Sequence, residues 1–303
     1  MERKSLIRGS LILFCFIKSC LTAWDIYAQE FEEVAIKVTS VTPSIYMLEG
    51  KGGNIGVFIG EDATILIDDQ FAPLTHKIKV AISKLTDKPV AFVINTHWHY
   101  DHTDGNENFG GEGAVIVSHK NSRKRMTSDQ FIAMFDKKQE AYAAEGIPKI
   151  TFAESMTFHI NGETMNVFHL GSAHTDGDAI IHFATSNVFH TGDVFVRYGF
   201  PFIDEPNGGN IDGMINAVDY IAELSNETTQ IIPGHGQLSN KQDLLVFSHM
   251  LKTIRQRVKN GIDAGKSFDE IKGSGPTAGF EERGIPKDGF IKIIYDNLTK
   301  SDQ

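Results

Sequence analysis

The sequence predicts a layered α/β sandwich in one domain, on three observations. Hairpin-connected strands dominate, and the chain runs from strands with a helix to more strands with helices and then to terminal helices. No G-x-G-x-x-G stretch follows the first strand, as it would in a doubly wound dinucleotide-binding sheet. The 303 residues, 41% of them hydrophobic, suffice to bury a core of normal size without disulfides.

The elements of the first half follow from alternation and turns. Strand-like alternation fills VAIKVTSVTPSIYMLEG and NIGVFIGEDATILIDD, and the glycine-rich GKGGN at 50–54 joins two of these strands. PLTHKIKVAISKLT has helical spacing, VAFVI is an apolar strand, and AVIVSHK is another short strand. The polar residues 121–145 predict a helix.

The second half predicts hairpins followed by helices. MTFHINGETMNVFHL alternates about the turn NGE, and AIIHFATSNVFHTGDVF forms two strands about TSN. NIDGMINAVDYIAELS predicts a helix, and QIIPGHG predicts a strand ending in a glycine-rich loop. The chain then predicts C-terminal helices in KQDLLVFSHMLKTIRQRVKNGIDAG and PKDGFIKIIYDNL.

The first 28 residues predict a secretory signal peptide, which leaves 29–303 as the single domain. Basic residues precede the short apolar run SLILFCFI at 10–17, and Ala28 offers a small residue before a cleavage site. The run is too short to span a bilayer. We therefore expect a periplasmic or secreted protein with no stable membrane insertion after leader removal. An uncleaved anchor and a lipoprotein attached through Cys20 are the alternatives.

Composition narrows the chemistry and the partners. Both cysteines, Cys15 and Cys20, lie in the predicted leader, so a mature chain would hold no disulfide, cysteine nucleophile or cysteine metal ligand. The net charge of −10 argues against a nucleic-acid partner, which would favour a basic surface. We expect a small-molecule substrate, and the sequence leaves the oligomeric state open.

The segment NTHWHYDHTDGN at 95–106 crowds metal-competent side chains directly after an apolar strand. His97, His99, Asp101 and His102 lie within six positions, and a strand end presents such side chains from a rigid frame. An H-x-H-x-D-H pattern is rare by chance. It predicts part of a metal site rather than a histidine-rich surface loop.

Three later strand ends carry candidate partners beside glycine. His174 lies in GSAHTDGD, Asp193 in FHTGDVF and His235 in IIPGHG, each after an apolar run. With the first four residues they give five imidazoles and two carboxylates, which suit Zn²⁺. Seven ligands are too many for one four-coordinate ion, so we expect two zinc ions per chain that share Asp193.

Taken together, these segments resemble the metallo-β-lactamase-fold superfamily of metallo-hydrolases. HWHYDH matches its H-x-H-x-D-H motif, and the later three segments match its later motifs in order, over about residues 34–240. The resemblance implies a four-layer αββα sandwich with the site at one edge. It also implies a first zinc held by His97, His99 and His174, and a second held by Asp101, His102 and His235, with Asp193 bridging.

The resemblance also narrows the reaction. Iron-containing members carry glutamate where this chain has His99, so zinc hydrolysis is favoured over redox chemistry. The commonest broad-spectrum β-lactamase subclass uses a cysteine on its second zinc, whereas this chain offers Asp193, a pattern closer to glyoxalase II and lactonases. We expect an exported dinuclear zinc hydrolase, β-lactamase-like, in which a metal-bound hydroxide attacks a cyclic amide, ester or lactone and Asp101 is the general acid/base.

Two alternatives and three substrate contacts complete the expectation. A glyoxalase II-like thioester hydrolase also fits the aspartate, and a non-catalytic metal-binding protein is the alternative from another class. For substrate contacts we expect Trp98, which alternates with the ligands, and Phe200 in an aromatic loop. Arg197 follows Asp193 closely enough to pair with a substrate carboxylate.

Overall fold

Seven strands from the N-terminal half form one sheet of the protein, described here from a computed structural model that covers residues 30–300. In spatial order they are β1 (Lys37–Ser40), β2 (Ile45–Glu49), β3 (Ile55–Ile59), β4 (Thr64–Ile67), β5 (Val90–Ile94), β6 (Val115–His119) and β9 (Ile150–Phe152). Strands β1 to β4 pair antiparallel, and β4, β5, β6 and β9 pair parallel. The predicted leader lies outside the described residues, and its cleavage stays a prediction.

A second sheet has six strands and contains both hairpins predicted for this half. Its order is β10 (Ser155–Ile160), β11 (Glu163–Phe168), β12 (Ile180–Phe183), β13 (Val188–His190), β14 (Gln230–Ile232) and β15 (Ser239–Asn240). Asn161 and Gly162, the turn of the β10–β11 hairpin, have φ values of 55° and 73°. Asn-Gly is favoured there because both central residues of such a turn need positive φ.

Eight helices of four residues or more complete the described part of the chain. They are α1 (Thr75–Ile82), α2 (Tyr100–Thr103), α3 (Asn106–Gly111), α4 (Lys120–Met126), α5 (Ile211–Leu224), α6 (Lys241–Asp263), α7 (Phe268–Gly273) and α8 (Lys287–Lys300). The predicted C-terminal helices are therefore confirmed. No helix within residues 30–300 has both the length and the apolar character needed to cross a membrane.

Two apolar cores arrange these elements in four layers. Ile65 and Val117 of the first sheet share one core with Met165 and Ile181 of the second, so the two sheets face each other. The second core, the helix-side core, joins the outer face of the second sheet to α5, α6 and α8. Helices α3 and α4 pack on the first sheet. This αββα sandwich confirms the predicted fold class, and each buried aliphatic side chain stabilises it by about 1.5–3 kcal/mol.

Residues 121–145 correct one prediction, because they are only partly helical. Helix α4 ends at Met126, and β7 (Gln130–Ile132) and β8 (Lys137–Gln139) then form a small hairpin. Ile132 is buried in the core, and the side chain of Asp129 accepts a bond from the Ala141 amide. Polarity suggested a surface helix, but these contacts between distant positions favour the hairpin, and composition does not reveal them.

Candidate metal centre

The four predicted motif segments meet at one edge of the sandwich. His97 and His99 follow β5, and Asp101 and His102 lie on the short helix α2 that comes next. The other three follow strands of the second sheet: His174 after β11, Asp193 after β13 and His235 after β14. Because the two sheets face each other with these strand ends at the same edge, residues separated by 138 positions in the chain converge.

Three histidines form the first group. His97 Nε2 lies 3.2 Å from His99 Nδ1, and His174 Nε2 lies 2.9 Å from the same nitrogen. The three residues are at most 4% exposed. This is the set that the resemblance assigned to the first metal ion.

The second group contains Asp101, His102 and His235. His235 Nε2 lies 3.3 Å from His102 Nε2 and 3.3 Å from Asp101 Oδ2. Asp193 stands between the two groups, with Oδ1 3.2 Å from His102 Nε2 and Oδ2 3.8 Å from His174 Nε2. All seven predicted ligands are therefore brought together, and Asp193 has the central position.

Hydrogen bonds outside the cluster fix the histidine tautomers. His99 Nε2 donates to Asp204 Oδ2 at 2.9 Å, and His174 Nδ1 donates to the Phe202 carbonyl oxygen at 2.8 Å. His102 Nδ1 donates to Asp68 Oδ2 at 2.8 Å. In the neutral imidazole, each bond leaves the nitrogen that faces the cluster without a proton, as metal binding requires.

Asp68 also orients the remaining histidine of the motif. Thr96 donates its hydroxyl to Asp68 Oδ2 and its amide to Asp68 Oδ1, both at 2.7 Å. The hydroxyl oxygen then accepts from His97 Nδ1 at 3.0 Å, which leaves His97 Nε2 for the cluster. One buried carboxylate therefore positions a ligand of each group.

Sequence reasoning missed Asp68, Thr96 and Asp204. Asp68 directly follows the apolar strand β4, but no glycine neighbours it, so only the strand-end criterion without its glycine requirement would have found it. Asp204 follows no strand, and its partner His99 lies 105 positions earlier. No local pattern reports that pairing.

Charge is distributed unevenly over the cluster. Burial, followed by the neighbouring imidazoles, lowers the pKa of His97 and of His174. Burial opposes charge in the second group too, but carboxylates raise the pKa of His235 to about 9, and His102 and His235 lower the pKa of Asp101 to about 2. Without a bound cation, the second group is therefore an imidazolium–carboxylate cluster in which metal ions compete with protons.

The donor atoms fit metal ions. In the first group, three unprotonated nitrogens face one another across about 3 Å, an arrangement in which lone pairs repel unless a cation lies among them. Asp193 Oδ1 is buried and, with an unprotonated His102 Nε2 at 3.2 Å, accepts no hydrogen bond within the described residues. Both features are explained by divalent cations that the imidazoles and Asp193 would hold.

Glycines allow the loops to approach this closely. A methyl group at Gly53, in the β2–β3 turn, would lie 2.1 Å from His102 Cε1. A methyl group at Gly234, beside His235, would lie 2.0 Å from Asp193 Oδ1. The Gly53 amide also donates to the Asp101 carbonyl oxygen at 3.0 Å. The turn therefore packs directly against the second group.

A cavity of about 350 Å³ opens onto the cluster, and the three predicted substrate contacts do not line it. Trp98 is 0% exposed in the helix-side core, and Phe200 is also buried there, stacked on Phe290. Arg197 pairs with Asp243 at 2.6 Å and lines a different depression. Tyr198 and Phe202, from the same loop, do line the cavity.

Comparison with known proteins agrees with this geometry. Hydroxyacylglutathione hydrolases of Pelagibacter ubique and a Polaromonas species are 28% and 27% identical to the chain over 52% and 55% of its length. The match spans 57% of each of these relatives. A probable metallo-hydrolase of Methanocaldococcus jannaschii is 26% identical over 66% of the chain and 94% of its own length.

Solved structures share the fold. A metallo-β-lactamase from Pontibacter korlensis superposes with a TM-score of 0.58 at 18% identity, over 72% of this chain and 99% of its own. The DIM-1 metallo-β-lactamase gives 0.57 at 18% identity, over 73% and 99%. Residues 48–235 match the sequence profile of the metallo-beta-lactamase superfamily, which spans all seven ligands. The chain therefore belongs to the metallo-beta-lactamase superfamily of hydrolases.

Proposed function

We propose that the protein is a dinuclear zinc-dependent hydrolase of an activated carbonyl compound, an ester, a lactone or a cyclic amide. The observation that carries the proposal is the convergence of seven nitrogen and oxygen donors into two groups about Asp193, with the tautomers of His97, His99, His102 and His174 fixed from behind. Nitrogen and oxygen donors with no cysteine suit zinc. Two such ions would supply Lewis acidity and an activated water at neutral pH.

The chain's own residues divide the remaining work. Asp101 lines the cavity with Oδ2 3.3 Å from His235 Nε2, and its carboxylate would accept a proton from the attacking water and return it to the leaving group. Asp193 holds the two groups at a fixed separation. Asp68 and Asp204 keep the ligands oriented, so little reorganisation is needed during the reaction.

The test is metal analysis followed by turnover of esters, lactones, β-lactams and thioesters. We expect about two zinc ions per chain and hydrolysis that a chelator abolishes. Asp101→Asn should lower kcat by about 10²–10⁴-fold. Asp219→Asn, which alters a surface carboxylate paired with Lys252, is the matched control and should leave kcat unchanged. Well under one zinc per chain would refute zinc dependence, and wild-type turnover in Asp101→Asn would refute the role given to Asp101. Bound zinc with no turnover of any substrate in the panel would favour a non-catalytic metal-binding role.

Thioester hydrolysis of the glyoxalase II kind is the second candidate. It is supported by the names of the two hydroxyacylglutathione hydrolases and by an aspartate at the central position of the cluster. The panel separates the two candidates if an acylglutathione thioester and an oxygen ester of the same acyl group are compared directly. A kcat/KM at least tenfold higher for the thioester would favour the second candidate.

We also propose that the enzyme is exported. The support is the leader-like order of basic residues, the apolar run at 10–17 and Ala28. N-terminal sequencing of protein purified from its native host tests the proposal. A mature chain that begins at about residue 29 is expected, and an intact Met1 in the cytoplasmic fraction would overturn export.

A further inference from the structure

We propose that the substrate is an uncharged carbonyl compound whose apolar group lies against Phe135 and Phe202, between the β7–β8 hairpin and the segment 284–286. This inference rests on the proposed hydrolysis and specifies the substrate class of the same site. Four features of the cavity carry it: its lining, its aromatic wall, the anchoring of that wall and its distribution of charge.

Outside the metal ligands, the cavity wall is apolar except for the hydroxyl groups of Tyr100 and Tyr198. Its other lining residues are aromatic, aliphatic or glycine: Tyr100, Ile132, Phe135, Tyr198, Phe202, Gly284, Ile285 and Pro286. The volume of about 350 Å³ is near the lower end of the range for small-molecule sites. A wall of this kind binds through apolar area rather than through directed polar contacts.

An aromatic path leads from the surface to the first ligand group. The Phe135 ring meets the Phe202 ring edge-on at 5.0 Å, and Phe202 stacks on the His99 ring at 5.8 Å. Phe135 is nevertheless 52% exposed, although it is a large apolar side chain. A substrate group that runs along this path would cover Phe135 while its carbonyl reached His99.

The hairpin that carries Phe135 is held firmly against the site. Ile132 is 1% exposed in the core cluster that contains Trp98. Gln139, on β8, donates to the Trp98 carbonyl oxygen at 2.9 Å and to the Tyr142 hydroxyl at 3.1 Å. Phe135 is therefore presented from an anchored element, which keeps the wall in place before a substrate arrives.

The opposite wall, formed by the segment 284–286, is fixed by backbone hydrogen bonds. The Phe200 amide donates to the Arg283 carbonyl oxygen at 2.7 Å, and the Ile285 amide donates to the Phe200 carbonyl oxygen at 3.2 Å. Gly284 has a φ of 87°, and a methyl group there would lie 2.4 Å from the Phe200 oxygen. Ile285 and Pro286 are thereby held at the mouth, facing the hairpin.

No lysine or arginine is among the residues that line the cavity within the described part of the chain. Arg197 is paired with Asp243, and Lys137 lies over the Tyr100 ring at 5.1 Å without lining the cavity. With His99 and His235 bound to metal as neutral imidazoles, a carboxylate lying along the wall away from the ligands would be removed from water with no cationic side chain beside it. This favours uncharged substrates over anionic ones.

The experiment compares p-nitrophenyl esters on the zinc-loaded full-length protein. We expect kcat/KM to rise from acetate to hexanoate by about threefold for each methylene that contacts the wall. Mono-p-nitrophenyl succinate, which matches the pentanoate ester in length but carries a carboxylate, should be at least about tenfold poorer. Equal or better turnover of the succinate would overturn the proposal.

Two variants of the same hairpin provide a matched pair. Phe135→Ala should lower kcat/KM for the hexanoate about tenfold and for the acetate less than twofold, because only the longer chain reaches that wall. Phe131→Ala removes a side chain that is 53% exposed on the same hairpin but does not line the cavity, and it should change neither value. Equal effects of the two substitutions would overturn the proposal.

A binding measurement separates this proposal from the proposed reaction. Hexanohydroxamic acid should bind the zinc-loaded protein at least about tenfold more tightly than acetohydroxamic acid, with the gain lost in Phe135→Ala and kept in Phe131→Ala. If no ester is hydrolysed but this pattern holds, the reaction is wrong and the apolar site stands. If esters are hydrolysed without any dependence on chain length, the reaction stands and the apolar site is wrong.

Discussion

Replacing Asp68 with asparagine should weaken the binding of one metal ion without removing any ligand. Asp68 Oδ2 accepts bonds from His102 Nδ1 and from the Thr96 hydroxyl, and Oδ1 accepts from the Thr96 amide. In Asp68→Asn, the amide oxygen would stay with the Thr96 amide, and the NH₂ group would face His102 Nδ1. Two donors cannot pair, so His102 must take the other tautomer, with a proton on Nε2 directed into the second ligand group.

The expected loss follows from that tautomer. Partners behind a metal-binding histidine contribute about 10–100-fold to metal affinity, or about 1.4–2.8 kcal/mol. Asp68 is 0% exposed, so solvent cannot replace the lost bond. We expect the affinity for the ion bound by His102 to decrease by an amount within this range. The affinity for the ion bound by the first group should decrease less, because Thr96 can rotate its hydroxyl and still accept a hydrogen bond from His97.

Competition titration of zinc against a chelating dye at pH 7.5 measures both dissociation constants. Asp69→Asn is the matched control, since Asp69 is equally buried and, within residues 30–300, its carboxylate accepts from the Gly105 amide at 3.1 Å on Oδ1 and has no hydrogen-bond partner on Oδ2. Burial, followed by repulsion from Asp68, raises the pKa of Asp69, so a neutral amide suits that position. Wild-type affinity for both ions in Asp68→Asn, or an equal loss in Asp69→Asn, would refute the role assigned to Asp68.

Three further predictions concern Gly53, Arg197 and His119. Gly53→Ala should displace His102 and lower zinc affinity at least about tenfold in the same titration, because the added methyl would lie 2.1 Å from the ring. Arg197→Ala should change kcat/KM less than about twofold for neutral and anionic esters alike, since Arg197 pairs with Asp243 away from the cavity. Burial lowers the pKa of His119 to about 4 in the folded protein, whereas the pKa in the unfolded chain is about 6.5. Because the unfolded chain binds this proton more readily, the free energy of unfolding is unaffected above about pH 6.5 and decreases as the pH falls towards 4. In urea unfolding of metal-free protein, the decrease in the free energy of unfolding from pH 7.5 to 4.5 should be about 1–3 kcal/mol larger for wild type than for His119→Gln. Equal decreases would contradict this role of His119.

The β10–β11 hairpin and the ligands could be predicted because their signals are local. The alternation of β10 and β11 about Asn161 and Gly162 is visible in consecutive residues, and the turn needs what those two residues provide. The ligands could be found for a related reason. His97, Asp193 and His235 each follow an apolar strand, and strands that pack in one sandwich bring their ends to a common edge.

The substrate contacts could not be predicted in the same way. Trp98 alternates with the ligands along the chain, which suggested a place at the mouth, but its side chain is buried in the helix-side core. Arg197 lies close to Asp193 in sequence, yet Asp243 of α6 pairs with it. In both cases the decisive partner comes from a distant part of the chain, and proximity in sequence does not report it.

The cavity wall and the metal ligands come from different parts of the fold, and this separates the reaction from its specificity. The ligands lie at strand ends and on α2, where the packing of the two sheets leaves little freedom. Phe135 lies in a hairpin inserted between α4 and β9, and Ile285 lies between α7 and α8, so both walls are connections that can change without moving a ligand. Membership of the superfamily therefore supports hydrolysis through the ligands, whereas the proposed preference for an uncharged, apolar substrate depends on two connections that the superfamily's motifs do not describe. Substitutions at Phe135 should accordingly alter the ranking of substrates while zinc affinity stays at the wild-type value. Substitutions at Asp68 should lower zinc affinity while the ranking of substrates stays the same.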